Sequence, residues 1–87
     1  MHVLIVYDID VSRVNKVHKF LRTYLNWVQN SVFEGEVSKS QLFEIRQRVK
    51  KLIHPKTDSV LLYVFGDEKY VKKEVLGVEK ADTERVI

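Results

Sequence analysis

The chain has 87 residues, which is room for one domain, and its lack of cysteine excludes disulfides and thiolate metal sites. Fifteen Lys and Arg against twelve Asp and Glu give a net charge of +3, which permits a nucleic-acid-binding surface without requiring one. The apolar runs Val3–Tyr7 and Val60–Phe65 are far shorter than the ~20 residues of a membrane-spanning helix. Asp8 and Asp10 interrupt the stretch where a secretory signal peptide needs its apolar core. We therefore expect one cytoplasmic domain over residues 1–87, with no membrane segment.

The N-terminal part predicts a buried strand followed by an amphipathic helix. Residues 2–9 are mostly apolar and β-branched, which is typical of a central strand buried on both faces. Asp10 or Ser12 can cap the helix that follows through a side-chain oxygen. In that helix, apolar residues spaced by three, four and three positions predict one buried stripe. The stripe comprises Val14, Val17, Leu21 and Tyr24.

The middle of the chain predicts extended structure and then a second helix. Trp27–Val37 is rich in Val, aromatic and Ser residues, which predicts extended structure. It has no clear two-residue hairpin signal, so the sequence does not decide whether it forms one strand or two. Ser38 and Gln41 form a capping-box pattern that begins a helix, and Pro55 prevents this helix from continuing beyond His54. Its apolar stripe comprises Leu42, Ile45, Val49 and Leu52.

The C-terminal third predicts two further strands. Asp58–Phe65 is a second buried strand, and Gly66 with Asp67 turns the chain. Tyr70–Val78 alternates in polarity, which predicts a strand at a sheet edge or one exchanged with a partner chain. The apolar pair Val86-Ile87 closes an otherwise polar tail and has no partner in its vicinity.

The order of elements predicts an α+β fold, a ferredoxin-like βαββαβ sandwich with an extra C-terminal strand. Each helix has a single apolar stripe, so both can pack on one face of one sheet, which leaves the other face bare. A chain of this size buries only about 60–65% of its unfolded surface. A bare apolar face on such a chain predicts a face-to-face homodimer.

Asp8 is the most informative position for chemistry because it ends an apolar strand just before the turn into the first helix. A carboxylate there must be hydrogen-bonded, paired or bound to a cation. One interpretation is a structural residue that accepts backbone N–H bonds in the turn. The other is a catalytic metal ligand, since Mg²⁺ (or Mn²⁺) keeps several waters and needs only one or two carboxylates. A two-fold dimer would supply two copies of Asp8.

The remaining polar residues form no recognisable catalytic motif. The histidines lack metal-ligand spacing and are interpreted as structural or solvent-facing; they are His2, His18 and His54. Arg46 and Lys50 flank the stripe of the second helix, either as a solvated face or as phosphate contacts. Phe33 is interpreted either as a core residue or as an aromatic that packs near a substrate.

Several of these segments together resemble the small CRISPR-associated protein two family. They are the strand end Tyr7-Asp8-Ile9, the Gln-x-Ser-Val-Phe element within Val28–Glu36, and Asp58-Ser59-Val60 at the start of a later strand. The similarity spans nearly the whole chain. It implies a ferredoxin-like homodimer in which the strand at about 70–78 and the tail cross onto the partner's sheet.

The resemblance also implies a function in acquiring CRISPR spacers, as the central dimer between two dimers of the integrase, CRISPR-associated protein one. It implies a metal-dependent endonuclease that cleaves single-stranded RNA or duplex DNA, with Asp8 as the metal-site aspartate. Tyr7 and Phe33 match the family's residues beside this site. Arg13 and Lys16 are the candidates for its basic residues on the first helix.

Three alternatives remain open at this stage. A non-catalytic scaffold would bind duplex DNA by its basic helices and dock the integrase by its C-terminal strand, with Asp8 purely structural. A toxin-type mRNA ribonuclease shares the same sandwich fold. A small-molecule regulatory sandwich is the third alternative, although no ligand pocket can be recognised in the sequence.

Overall fold

The computed structural model describes residues 1–66 and 71–80 and confirms the expected α+β fold. The described strands form one antiparallel sheet in the order β2-β3-β1-β4-β5, which is the ferredoxin-like order with β5 added beside β4. No described helix is long and apolar enough to cross a membrane. The elements are β1 (His2–Asp8), α1 (Val11–Leu21), β2 (Asn26–Gln29), β3 (Val32–Glu36), α2 (Lys39–Leu52), β4 (Ser59–Phe65) and β5 (Val71–Gly77).

Strand β1 lies at the centre of the sheet, between β3 and β4. Side chains alternate between the two faces of a strand. Val3, Ile5 and Tyr7 are buried against the helices, whereas Leu4 and Val6 on the opposite face are only half-buried. The strand predicted to be buried on both faces is therefore fully buried on one face within this chain.

Helix α1 begins where the sequence predicts it. Of the two candidate caps, Asp10 is the N-cap, and its carboxylate accepts a hydrogen bond from the Ser12 backbone N–H at 3.0 Å. The helix ends at Leu21, so Tyr24 lies beyond it and is half-buried against the core. The predicted stripe thus holds for the helical positions, of which Val17 and Leu21 are fully buried.

Helix α2 has the predicted capping box, in which Ser38 and Gln41 each bond the other's backbone N–H. It ends at Leu52, before Pro55. The buried residues of the stripe are Leu42, Ile45 and Val49.

The extended segment between the helices is a hairpin of two strands. The turn between Gln29 and Val32 contains Asn30, whose φ is +24°. Asn tolerates this left-handed region better than most residues because its short polar side chain bonds locally. A register shift between Trp27 and Gln29 marks a bulge next to the turn. Asn30 is the local signal that could have placed the hairpin.

Strand β5 lies at the edge of the sheet and pairs with β4 of the same chain. Its predicted exchange with a partner stays a prediction. Asp67, Tyr70 and the residues 81–87, including the apolar pair Val86-Ile87, lie outside the described residues.

The helix-free face of the sheet is apolar at its centre. Val6 lies opposite Leu61, which lies opposite Val75, and all three are half-buried. Phe65 and Val71 continue this face and are 38% and 47% exposed. We call this surface the helix-free face; its apolar residues are Leu4, Val6, Val32, Leu61, Tyr63, Phe65, Val71 and Val75. No described helix covers it, as the stripe pattern predicts.

Gly77 lies at the end of β5, where the strand passes very close to the backbone of Asp58. Its φ is +83°, and a Cβ there would overlap the Asp58 carbonyl oxygen, which accepts a bond from Val78 N–H at 2.9 Å. We expect Gly77→Ala to lower the free energy of unfolding by at least about 2 kcal/mol, measured by urea denaturation. Gly66→Ala is the matched control, because its Cβ would meet no heavy atom within 4 Å. Equal losses in both variants would contradict the close approach.

Candidate active site

A polar cleft of about 490 Å³ opens at the end of β1. Strand β1 and helix α2 both run towards this end of the sheet, and helix α1 and strand β4 both start from it. The topology therefore gathers the ends of several elements around one opening. The lining residues are Asp8, Ile9, Asp10, Arg13, His54, Thr57, Asp58 and Lys80.

Asp58 is the buried carboxylate of the cleft, with an exposed fraction of 1%. Its Oδ1 accepts hydrogen bonds from the Asp10 backbone N–H and from Arg13 Nη2, both at 3.0 Å. Its Oδ2 accepts from Arg13 Nε at 2.6 Å and from the His54 backbone N–H at 2.8 Å. Both oxygens are thus satisfied by groups from three different segments.

These bonds keep Asp58 ionised. The hydrogen bond from Arg13 lowers the pKa of the Asp58 carboxyl far below its usual range, and the N–H groups of His54 and Asp10 lower it further. Burial acts in the opposite direction but is outweighed. The same pairing raises the pKa of Arg13. The buried pair is therefore a fixed structural element of the cleft wall.

Asp8 is the exposed carboxylate of the cleft. It ends β1 on the same face as Leu4 and Val6, and its side chain is 74% exposed. Lys80 Nζ lies 3.4 Å from its Oδ2 and is its ion-pair partner within the described part of the chain. The turn after β1 is held by Asp10 and Asp58, not by Asp8. The Asp8 carboxylate is therefore accessible to a ligand.

The two aromatic residues predicted at the site lie on the helix side of the sheet. Tyr7 is buried, its hydroxyl donates to the Asn30 carbonyl at 3.1 Å, and burial raises its pKa. Phe33 is fully buried, with its ring centroid 6.1 Å from that of Tyr7. Phe33 has no accessible ring face for a nucleotide, so the structure favours its interpretation as a core residue.

The predicted basic residues fall into two groups. Arg13 is held by the buried carboxylate described above, and Arg46 Nε donates to both carboxylate oxygens of Glu74, at 3.0 and 3.1 Å. Lys16 and Lys50 are exposed and form no ion pair within residues 1–66 and 71–80. The lysines are therefore available to a phosphate, whereas each arginine would have to share its guanidinium.

Of the three histidines, His54 lines the cleft, whereas His18 and His2 lie away from it. His18 packs edge-on against Trp27 and Phe33, with ring centroids 4.5 and 4.8 Å away, and burial lowers its pKa. His2 Nε2 lies 2.9 Å from the Glu34 carboxylate at the other end of β1. In the described ranges, no three His, Cys, Asp or Glu side chains are close enough to hold a metal ion. A metal at Asp8 would therefore need further ligands from beyond these described side chains.

Asp58 is the important cleft residue that the sequence analysis did not single out. The reasoning applied to Asp8 also applies to Asp58, because it stands at the start of an apolar strand and needs partners if buried. Asp58 stands between the loop Pro55-Lys56-Thr57 and an apolar strand, and this position could have marked it as a carboxylate that needs partners. Its partner Arg13 lies 45 residues away in the chain, so local patterns could not reveal the pair.

Replacing Asp58 by Asn removes the charge opposite Arg13 with little change of shape. We expect a loss of about 3–5 kcal/mol in the free energy of unfolding near neutral pH, because one charge of a buried pair is left without its partner. The folded-state pKa of Asp58 is lowered, so its contribution is present above the unfolded value of about 3.9 and is lost as pH falls through the folded value. The difference between wild type and Asp58→Asn should therefore shrink below about pH 4.

Urea denaturation of both proteins across this pH range measures the effect. Asp10→Asn is the control, because Asn also caps helices well and should cost only a few tenths of a kcal/mol, about the size of a surface substitution. A pH-independent difference between wild type and Asp58→Asn would contradict the ion pair.

Comparisons with known proteins agree with this fold. The family description CRISPR associated protein Cas2 matches residues 1–73. A protein named CRISPR-associated endoribonuclease Cas2 from Methanosarcina acetivorans is 53% identical over 87 residues and is covered, like this chain, over 100% of its length. A protein of the same name from Pyrococcus furiosus is 48% identical, again with 100% of both chains covered.

Two solved structures of Cas2 proteins are also similar to this chain. A crystal structure of Cas2 superposes with a TM-score of 0.74 at 49% identity, covering 100% of this chain and 98% of the other. The crystal structure of Streptococcus pyogenes Cas2 at pH 6.5 has a TM-score of 0.70 and 36% identity, over 76% of this chain and 87% of the other. The chain therefore belongs to the Cas2 family of CRISPR-associated proteins.

Proposed function

We propose that this protein is a CRISPR-associated endoribonuclease in which Asp8 from two copies of the chain forms the active centre. The observation that carries the proposal is the accessible Asp8 carboxylate at the rim of a polar cleft. The family supports the reaction class, because the relatives described above are named endoribonucleases.

The proposed dimer pairs the helix-free faces of two chains. These faces are apolar at their centre and uncovered by any described helix, which favours association with a second copy. Asp8 lies on the same face of β1 as Leu4 and Val6, because the three residues occupy alternate positions of the strand. Face-to-face pairing would therefore place both Asp8 carboxylates at the border of the interface.

The donor set fits Mg²⁺ (or Mn²⁺) held by one carboxylate from each copy, with water and substrate phosphate as the other ligands. When bound, such an ion polarises a phosphoryl oxygen and lowers the pKa of a coordinated water. Asp8 would hold the ion. Asp58 binds Nε and Nη2 of Arg13, which leaves the Nη1 group of this cleft residue for a phosphate oxygen.

Asp8→Asn tests this assignment. We expect the rate of Mg²⁺-dependent cleavage of a single-stranded RNA to fall about 100-fold or more, because the amide removes an anionic ligand. The matched control is Asp10→Asn, which removes one negative charge from the same cleft and keeps a capping side chain. Its rate should stay within about twofold of wild type, as a surface substitution should.

Sedimentation velocity of the same proteins tests the shared centre. Wild type and both variants should sediment as dimers. Cleavage that survives Asp8→Asn, or that Asp10→Asn abolishes equally, would contradict the role of Asp8. An active wild-type monomer would contradict a centre built from two copies.

The second candidate is a non-catalytic central dimer between dimers of the integrase, CRISPR-associated protein one. It is favoured by the ion pair between Asp8 and Lys80, which satisfies the carboxylate without a metal. In this function the exposed Lys16 and Lys50 would contact duplex DNA, and the C-terminal strand would dock the integrase. Purified wild-type protein that binds DNA but cleaves no RNA would favour this candidate.

A further inference from the structure

A groove lined by basic side chains runs between the outer faces of the two helices. Lys16 and Lys19 of α1 lie on one side, and Arg48 and Lys51 of α2 lie on the other. It consists of two adjoining clefts of about 320 and 220 Å³ that share Phe20 and Arg48. We call this surface the interhelical groove.

The four basic residues of the interhelical groove outnumber the one acidic residue that lines it. Within residues 1–66 and 71–80, none of the four forms an ion pair. The acid beside them, Glu44, accepts a hydrogen bond from the Tyr24 hydroxyl at 2.8 Å. Arg13 and Arg46, by contrast, each bind a carboxylate. Four unpaired cations along one groove attract a ligand with repeated negative charges.

The floor of the groove is apolar. Phe20 and Leu52 line it and are half-buried against the core. A groove with basic sides and an aromatic floor suits a single nucleic-acid strand, whose phosphates contact the cations while its bases stack on the ring. A duplex keeps its bases inside and could use only the cations. The composition of the groove therefore favours a single strand.

The groove leads towards the cleft at Asp8. Arg13 of the cleft is followed along α1 by Lys16 and Lys19, with a rise of about 4.5 Å for each step of three residues. The C-terminal end of α2 also adjoins the cleft, through His54. The groove lies on the helix layer, opposite the helix-free face, so it stays open in the proposed dimer.

We propose that the interhelical groove binds the RNA strand next to the phosphate that is cleaved at Asp8, one strand in each protomer. The proposal rests on the endoribonuclease function proposed above. It assigns the contacts to phosphate to Lys16, Lys19, Arg48 and Lys51, and the stacking surface to Phe20.

Binding of a fluorescent single-stranded RNA, followed by anisotropy, tests the proposal. The Asp8→Asn background prevents cleavage during the measurement. On it, Lys19→Ala with Arg48→Ala should raise the Kd about tenfold and reduce the slope of log K against log salt by about 1.4, the value for two lost phosphate contacts on a single strand. Both side chains are exposed, so folding should be preserved, which circular dichroism checks.

The matched control is Lys39→Ala with Lys72→Ala. It also removes two positive charges, but from exposed sites outside the groove. Its Kd should stay within about twofold of the background protein, because only the long-range field changes. Equal weakening by both pairs would show a general charge effect and overturn the groove. A duplex DNA of the same length that loses as much affinity as the RNA would overturn the single-strand assignment.

The experiments distinguish a failure of RNA binding in the groove from a failure of the proposed function. Cleavage that persists in Asp8→Asn would remove the catalytic assignment. The anisotropy is therefore read in EDTA without Mg²⁺, so that the RNA Kd of the groove variant does not depend on that assignment. Unchanged RNA binding by the groove variant would refute the groove alone.

Discussion

The cleft depends on one buried carboxylate and the guanidinium that pairs with it. Asp58 accepts bonds from the turn after β1, from α1 and from the loop after α2, and its carbonyl oxygen accepts the N–H that follows β5. A buried carboxylate is costly unless all its lone pairs are used, and here they are. Groups from four segments are therefore fixed around one residue, three of them on its carboxylate and one on its backbone carbonyl.

Asp58 and Asp8, two carboxylates of the same cleft, differ in accessibility because their surroundings differ. Asp58 is buried and held by Arg13, so it stays ionised and is inaccessible to a ligand. Asp8 is exposed, and its contact with Lys80 is a surface ion pair of the kind worth at most about 1 kcal/mol. A cation or a phosphate-bound ion could displace such a contact at little cost. Asp58 thus forms a rigid part of the cleft wall, whereas the Asp8 carboxylate stays accessible to a ligand.

Local patterns were sufficient to predict both helices and the central strands of this fold. The stripes of the helices, the Asp10 cap and the capping box at Ser38 each depend on residues within one or two turns. The hairpin at Asn30 was left open because its turn lacks a glycine, although Asn supplies the same left-handed conformation. The uncovered sheet face was predictable because each helix has a single apolar stripe, so both helices pack on the same face of the sheet.

The contacts of the site could not be predicted, since they join residues far apart in the chain. Arg13 was expected to face phosphate, and Arg46 either solvent or phosphate, but their partners lie 45 and 28 residues away, at Asp58 and Glu74. Burial of Phe33 likewise depends on which side of the hairpin meets the helices. The sequence singled out Asp8 at a strand end, and the structure exposes its carboxylate there, but only the fold shows what holds the cleft around it.

A double-mutant cycle between Arg13 and Asp58 tests this account most directly. The free energy of unfolding would be measured by urea denaturation for wild type, Arg13→Met, Asp58→Asn and the double variant. If the pair holds the cleft together, the two losses are not additive, and the coupling energy is about 2 kcal/mol or more. Losses that add to within about 0.5 kcal/mol would contradict the central position given to this interaction.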